Sequence, residues 1–458
     1  MRIRLNYPIK LSQIQKITSA FLADTDRDVT HIVTDSREAE AGDLFIAIRG
    51  EQFNGSDFAE DAMKKGAYVL SERSDFATLT VSSSIDALLK IGVFAKSKLK
   101  NLKYTIAITG SVGKTTTKNL TTLLLKENFK VHSTEENQNN EIGLAYTLLR
   151  APIDTDILVC ELGMNHVGEI SRLSQCINPD ISIITNIGNA HIGNLGSREM
   201  IALAKLEICD GMSNGITIVP YEEPLLKNAK GRLSVSLYDK DADATLFPVL
   251  ESSSESQFKF CGRSLPALEG KIKAPGKHIL SSLSFAITVA FIIGLSSDDI
   301  VSALKKFDAS LLRGSFLRIG KYSIYDDSYS SSPEAVTAVL NMLSLYDEFK
   351  KSAVLGDMLE LGSKTEYLHE KIGKEAFLHG INQLYAFGVY APFIAKGALD
   401  AGMPRERIFI NTDPLSPNVT AKQIANSYHG ELILVKASHR LNIGRIYTFL
   451  REQDAGEE

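Results

Sequence analysis

Apolar residues in this chain fall into short runs that end in polar turns, with helix-period patterns between them. Such runs predict buried strands, and the alternation predicts strands separated by helices. Near the start, strands are expected at 32–34, 44–48 and 68–70, with a helical pattern over 58–65. A second set opens with Y-T-I-A-I-T (104–109) and continues through I-L-V-C-E-L-G (157–163) and I-S-I-I-T-N-I-G (181–188). Residues 235–265 read as β-meander or loop around the polar run S-S-S-E-S-Q (252–257). Alternation resumes after Arg313, with runs at 352–358, 383–388 and 431–436. The tail Q-D-A-G-E-E (453–458) is expected to fray. The pattern predicts an α/β protein of three domains over 1–100, 101–312 and 313–458, with mostly parallel sheets whose ligands gather at strand carboxyl ends.

Length supports this division, since 458 residues suffice for several cores. Net charge is −5 and no basic block stands out, so a nucleic-acid surface is not expected. The most apolar stretch, 279–295, is interrupted by Ser281, Ser282, Ser284, Thr288 and Gly294. It reads as a buried helix rather than a membrane span. The N-terminus lacks the apolar core of a signal peptide. Cys160, Cys176, Cys209 and Cys261 have neither paired nor metal-ligand spacing, so reduced core thiols in a cytoplasmic protein are expected.

The sharpest chemical signal is I-T-G-S-V-G-K-T-T-T-K (108–118). A strand, a glycine turn and a helix start bring backbone N–H groups around phosphates. Lys114 would neutralise their oxygens and the Thr115 hydroxyl would sit on Mg²⁺. Ile108 stands where the full phosphate-loop pattern has its first glycine. Glu161 ends a strand, where it either reaches a metal ion or is simply solvated. His191 follows another strand and reads as a ligand or a loop residue. Lys205, in the amphipathic pattern M-I-A-L-A-K-L-E-I, reads on its own as a surface lysine. Asp326 and Asp327 either grip ribose hydroxyls or cap the helix beginning near Pro333. Gly356-Asp357 ends another strand in the same way. Thr34-Asp35-Ser36-Arg37 suits an anionic ligand or a plain turn.

In combination these motifs resemble the Mur ligases of peptidoglycan synthesis, over essentially the whole chain and in the family's order. The resemblance rests on T-D-S-R-E-A-E-A-G-D-L-F (34–45), the phosphate loop, N-Q-N-N-E-I-G (137–143) and E-L-G-M-N-H (161–166). It continues through T-N-I-G-N-A-H (185–191), A-K-L-E-I (204–208), D-D-S-Y (326–329), L-G-D-M-L-E-L-G (355–362) with His369, and V-K-A-S (435–438). It implies a small UDP-binding domain, a central P-loop ATPase domain and a C-terminal Rossmann-like domain. Gly110, Ser111, Gly113, Lys114, Thr115, Thr116, Arg313 and Asp327 would bind ATP. Thr115, Glu161, His191 and Lys205 would hold two Mg²⁺ ions, with Lys205 carbamylated. Lys114, Lys205 and His191 would be catalytic. Ser36, Arg37, Asn54, Gly55, Asn137, Asn139 and Asn140 would bind the UDP substrate, and Asp357, Glu360, Lys436 and Ser438 would face the amine. The implied reaction joins D-alanyl-D-alanine to a UDP-muramoyl-tripeptide through an acyl phosphate. Small-molecule substrates and a cytoplasmic, bacterial, monomeric enzyme are expected.

Three departures accompany the resemblance. The family's H-N-x-x-N reads H-I-L-S-S (278–282), so Ser282 replaces the adenine-contacting Asn; Y-N-A-N-P reads Y-S-S-S-P (329–333); and K-G-S-R reads K-A-S-H (436–439), with Arg440 one place on. All fall on the adenine and amine sides. Besides the D-alanyl-D-alanine ligase, two readings remain: a paralogue joining another amine or acid, and a non-catalytic nucleotide-binding partner protein.

Overall fold

In the computed structural model, residues 1–22, 26–50 and 53–455 are described. Three sheets of six, nine and six strands succeed one another along the chain. In the first, the expected strands are Asp28–Val33, Leu44–Ile46 and Tyr68–Ser71, paired parallel. Arg2–Lys10 flanks them antiparallel, its alternating Ile3, Leu5 and Ile9 turned inward. The helix expected over 58–65 is Ala59–Lys64.

The central sheet is built around Tyr104–Thr109, which lies parallel between Ile157–Glu161 and Ile181–Ile184. These strands are almost wholly buried, as β-branched runs covered on both faces must be. Val131–Ser133 pairs beyond Ile157–Glu161, whereas Ile181–Ile184 joins on the opposite side. Strand order therefore reverses at Tyr104–Thr109, and the crevice at that reversal opens above the carboxyl ends. The expected meander consists of Ala244–Glu251, Ser256–Gly262 and Leu268–Ile272. It joins this same sheet with Ala244–Glu251 parallel to Arg232–Ser236 and continues antiparallel from there, rather than forming a separate loop region.

The apolar stretch near 279–295 is the helix Lys277–Ile293, stopped by Gly294 in the left-handed region (φ 101°). It packs against Lys114–Leu125, the helix that follows the phosphate loop. Its buried Leu, Ile, Val and Phe side chains each contribute roughly 1.5–3 kcal/mol. Burying its hydroxyls is tolerable because they bond back along the helix: Ser284 Oγ donates to Ser281 O and Thr288 Oγ1 to Ser284 O, both at 2.7 Å. Among the described residues no helix is long and apolar enough to cross a membrane.

In the third sheet Tyr322–Asp326, Leu432–Lys436 and Lys351–Gly356 are parallel neighbours in that order. Their register sets Asp326 against Val435 and Leu355 against Lys436. Asp327, Lys436 and Asp357 thus emerge at one end of the sheet. The cysteines depart from the expectation of core thiols, since only Cys160 is buried and Cys261 is exposed. The helix Arg445–Ala455 absorbs the start of the tail expected to fray, and 456–458 lie outside the described residues.

Candidate active site

The phosphate loop is shaped by two glycines. Gly110 has φ 147°, and a Cβ there would fall 1.8 Å from Thr185 Oγ1; Gly113 sits at φ 81°, where L side chains are strained. Gly113 precedes the helix Lys114–Leu125 without a side-chain cap, which leaves the first N–H groups for a ligand. Asn186 braces the loop from the next strand end, its Oδ1 accepting the Ser111 and Val112 N–H groups at 3.0 Å. Lys114 Nζ donates to Gly110 O at 2.8 Å.

Beside the loop, the Thr115 hydroxyl donates to Glu161 Oε2 at 2.8 Å, and Asn139 Nδ2 donates to Glu161 Oε1 at 2.9 Å. Glu161 is fully buried, held by a strand end and two polar neighbours. Arg313, where the chain enters the third sheet, donates from Nη2 to Thr115 Oγ1 at 2.5 Å and stacks 4.5 Å from the Tyr329 ring centre. Lys436 is buried, pairs with Asp327 Oδ2 at 2.8 Å, and donates to Ser330 O at 2.6 Å. Ser332, not Asp326 or Asp327, caps the helix Pro333–Leu343, which leaves the Asp pair free of that role. The cavity between the two sheets has a volume of about 400 Å³. Ser111, Gly113, Lys114, Thr115, Thr116, His191, Arg313, Asp327, Glu360, Lys436 and Ser438 all line it.

Lys205 overturns the surface reading, because it is buried and, among the described residues, no hydrogen bond or ion pair engages its side chain. Burial, and next the charge of Lys114, hold its pKa well below the ordinary lysine value. Burial likewise lowers Lys114, against the pull of Glu161. His191 Nδ1 meets Glu360 Oε2 at 2.5 Å; burial lowers this imidazole despite that carboxylate. His278, on the cavity wall, is pushed down to about 4 by burial, with Lys436 adding to the effect and Asp327 opposing it.

Other expected site residues stand apart. Arg37 is exposed and bound to its own turn, Nε and Nη2 donating to Asp35 at 2.9 and 2.6 Å. The carbonyls of Ser36 and Arg37 accept from Lys65 Nζ. Asn54 caps the short turn Gly55–Phe58, and Gly55 lies against Ile48, where a Cβ would clash at 2.6 Å. Asn140 caps the helix Glu141–Arg150, and the carbonyl of Asn137 accepts the Asn139 N–H. The Asp357 carboxylate turns away from the cavity to accept the Val389 and Tyr390 N–H groups, both at 2.9 Å. His369 holds the same turn, accepting the Met358 N–H on Nε2 at 2.9 Å. Sequence reasoning gave no role to Asn186, Tyr329 or Glu334; Asn186 and Tyr329 lie within the quoted motifs at 185–191 and 326–329, whereas the only sequence signal of Glu334 is its place at a helix start.

A phosphate cradle at one sheet's reversal, roofed by strand ends of a second sheet, is the arrangement of an ATP-dependent ligase. Sequence profiles match the Mur ligase middle domain over residues 108–290, the Mur ligase family catalytic domain over 28–91, and the Mur ligase glutamate ligase domain over 313–439. The UDP-N-acetylmuramoyl-tripeptide–D-alanyl-D-alanine ligase of Bacillus subtilis is 35% identical over 93% of this chain and 94% of its own. The chain belongs to the Mur ligase family. The Rickettsia prowazekii ligase of the same name is 30% identical over 90% of this chain and 93% of its own. Among solved structures, MurF from Acinetobacter baumannii superposes with a TM-score of 0.87, at 26% identity, over 98% of this chain and all of that one. MurF from Thermotoga maritima, solved with ADP, gives 0.78 at 28% identity over 93% of this chain and 98% of that one.

Proposed function

We propose that this chain joins D-alanyl-D-alanine to a UDP-N-acetylmuramoyl-tripeptide, with ATP cleaved to ADP and phosphate, in assembly of the peptidoglycan precursor. The observation that carries the reading is the convergence of the phosphate loop, Arg313 and Lys436 on one cavity, with Glu161 bonded to Thr115 behind it, in a chain so similar to ligases of that name. A substrate carboxylate attacks the γ-phosphorus and ADP leaves, forming an acyl phosphate. The amine attacks the acyl carbon, loses a proton, and phosphate departs with one former carboxylate oxygen.

The chain's own groups suit these steps. Lys114 and the free N–H groups of its helix offset the phosphate charge, and Arg313 closes on the same oxygens. Asp327, fixed by Lys436, suits the ribose hydroxyls. The hydroxyl of Thr115 and the carboxylate of Glu161, 2.8 Å apart beside the loop, are the hard oxygen donors Mg²⁺ prefers, and they would hold it there. His191 and a carbamylated Lys205 would hold a second ion. Burial and the nearby Lys114 disfavour the Lys205 ammonium, and carbamylation would put an anion in its place and relieve that repulsion. When bound, Mg²⁺ supplies charge neutralisation at the phosphates.

The residues expected to touch the UDP substrate remain a proposal, as do the three domain spans and the amine-side roles of Glu360, Lys436 and Ser438. Asp357 fits a supporting role for that side, since its carboxylate already serves backbone. We further propose that one copy works alone in the bacterial cytoplasm, where ATP is supplied. The test supplies ATP, Mg²⁺, the UDP-muramoyl-tripeptide and D-alanyl-D-alanine and follows phosphate and product mass. Release only with both acceptor substrates, with the pentapeptide formed, supports the reading. Release with a different amine alone would redirect it to the paralogue, and none with any acceptor to the nucleotide-binding partner.

A further inference from the structure

Two carboxylates of the third sheet's unit reach across to the loop 185–191 of the central unit. One is Glu360, already met at His191. The other is Glu334, in the first turn of the helix Pro333–Leu343. Its Oε1 accepts both the backbone N–H of Asn189 at 2.8 Å and the Asn189 side-chain amide at 2.6 Å. Its Oε2 is buried without a partner. The helix does not need this side chain as a cap, because Ser332 Oγ already accepts the Ala335 N–H. Gly188 is fitted to the contact: a Cβ there would lie 2.7 Å from Glu334 Cδ.

The same loop grips the phosphate cradle at its other end. Asn186 holds the Ser111 and Val112 N–H groups, Thr185 Oγ1 donates to Val112 O at 2.6 Å, and the Gly188 N–H donates to Ser111 Oγ at 2.9 Å. The one segment 185–191 therefore touches the phosphate loop through Thr185, Asn186 and Gly188 and the third unit through Asn189 and His191. We infer that Glu334 is a positioning residue that couples docking of the third unit to the shape of the phosphate loop, through Asn189, Gly188 and Asn186. Both bonds fall on one carboxylate oxygen, so the contact is a small one of two charge-assisted bonds. A contact of that size can be made and released as a ligand shifts the population of docked chains, as a latch requires.

The inference rests on ATP use by the family and not on which amine is joined. The test therefore uses the intact chain and a non-hydrolysable ATP analogue, with affinity and small-angle scattering as readouts and melting temperature as the check on folding. Glu334→Ala and Gly188→Ala should each weaken analogue binding about tenfold and leave the nucleotide-bound chain more extended. The double variant should be no worse than either single, because both changes remove one contact. If Gly188→Ala does not fold, Asn189→Ala takes its place in the cycle with the same expectation. Losses that multiply in the double variant, or a Glu334→Ala chain that binds and scatters like the parent, would overturn the latch.

Discussion

The phosphate cradle and the first unit's turns are both rich in polar residues, yet they are organised in opposite ways. Among the described residues around the cradle, the side chain of Lys205 is buried with no hydrogen-bond or ion-pair partner, and that of Lys114 bonds to backbone carbonyls alone. These cations are held by strand and helix ends before any ligand arrives, so the site is preorganised for a polyanion. In the first unit the polar groups satisfy one another. Asp35 holds Arg37, which keeps the Asp35 carboxyl well below the usual carboxylate range, and Asn54 caps its own turn. A ligand there must exchange existing partners for its own. Catalysis should therefore depend on the first region chiefly through kcat, and on the second chiefly through KM.

The sharpest way to break this contrast is Lys114→Ala. It should lower kcat on the order of 10³-fold with melting temperature little changed, read by phosphate release. An unaltered kcat would remove the phosphate-loop assignment altogether. Lys205→Ala should lower kcat on the order of 10²-fold, with partial recovery on adding short carboxylates that replace the carbamate. Full activity in that variant would sink the carbamate reading. Arg37→Ala should act on the other side of the comparison, raising KM for the UDP substrate about tenfold at nearly constant kcat. If it lowers kcat as Lys114→Ala does, the two regions are not distinct in kind.

The smallest effect concerns His278. Its folded pKa, about 4, lies below the ordinary value for histidine near 6.5, so folding favours the neutral ring. That contribution is complete above about pH 6.5 and is lost as pH falls towards 4. The residue is partly exposed on the cavity wall, so solvent screening keeps the loss small. Denaturant titrations should find stability declining across that window, and His278→Asn should flatten the decline.

The fold was largely legible because strand runs buried on both faces are continuous in sequence, and the phosphate loop joins one such strand to a helix. The site was legible where a motif is local, as with Lys114 and Thr115. Lys205 misled the pattern for a physical reason: in the helix Arg198–Leu206 the apolar Met200 and Leu203 face solvent, while the lysine points inward. Ile201, Ala202 and Ala204 form the buried face in the usual way, and the lysine shares it with them. Asn139 was expected beside the muramoyl substrate, but its amide holds Glu161, a pairing 22 positions apart that no local pattern encodes. Glu334 was invisible for the same reason, since its partners lie 145 positions away. The family's altered adenine and amine motifs converge on one cavity, which Ser282, His439 and Arg440 line with Ser330. The departures are thus spatially joined although they are scattered in sequence.

The central claim is that a substrate carboxylate takes the γ-phosphoryl group of ATP before the amine arrives. It is tested most directly with tripeptide substrate carrying ¹⁸O in the reacting carboxylate, by mass analysis of the released phosphate. Acyl-phosphate formation predicts one ¹⁸O transferred to each phosphate, with the other retained in the new amide. Phosphate free of label, despite product formation, would contradict it.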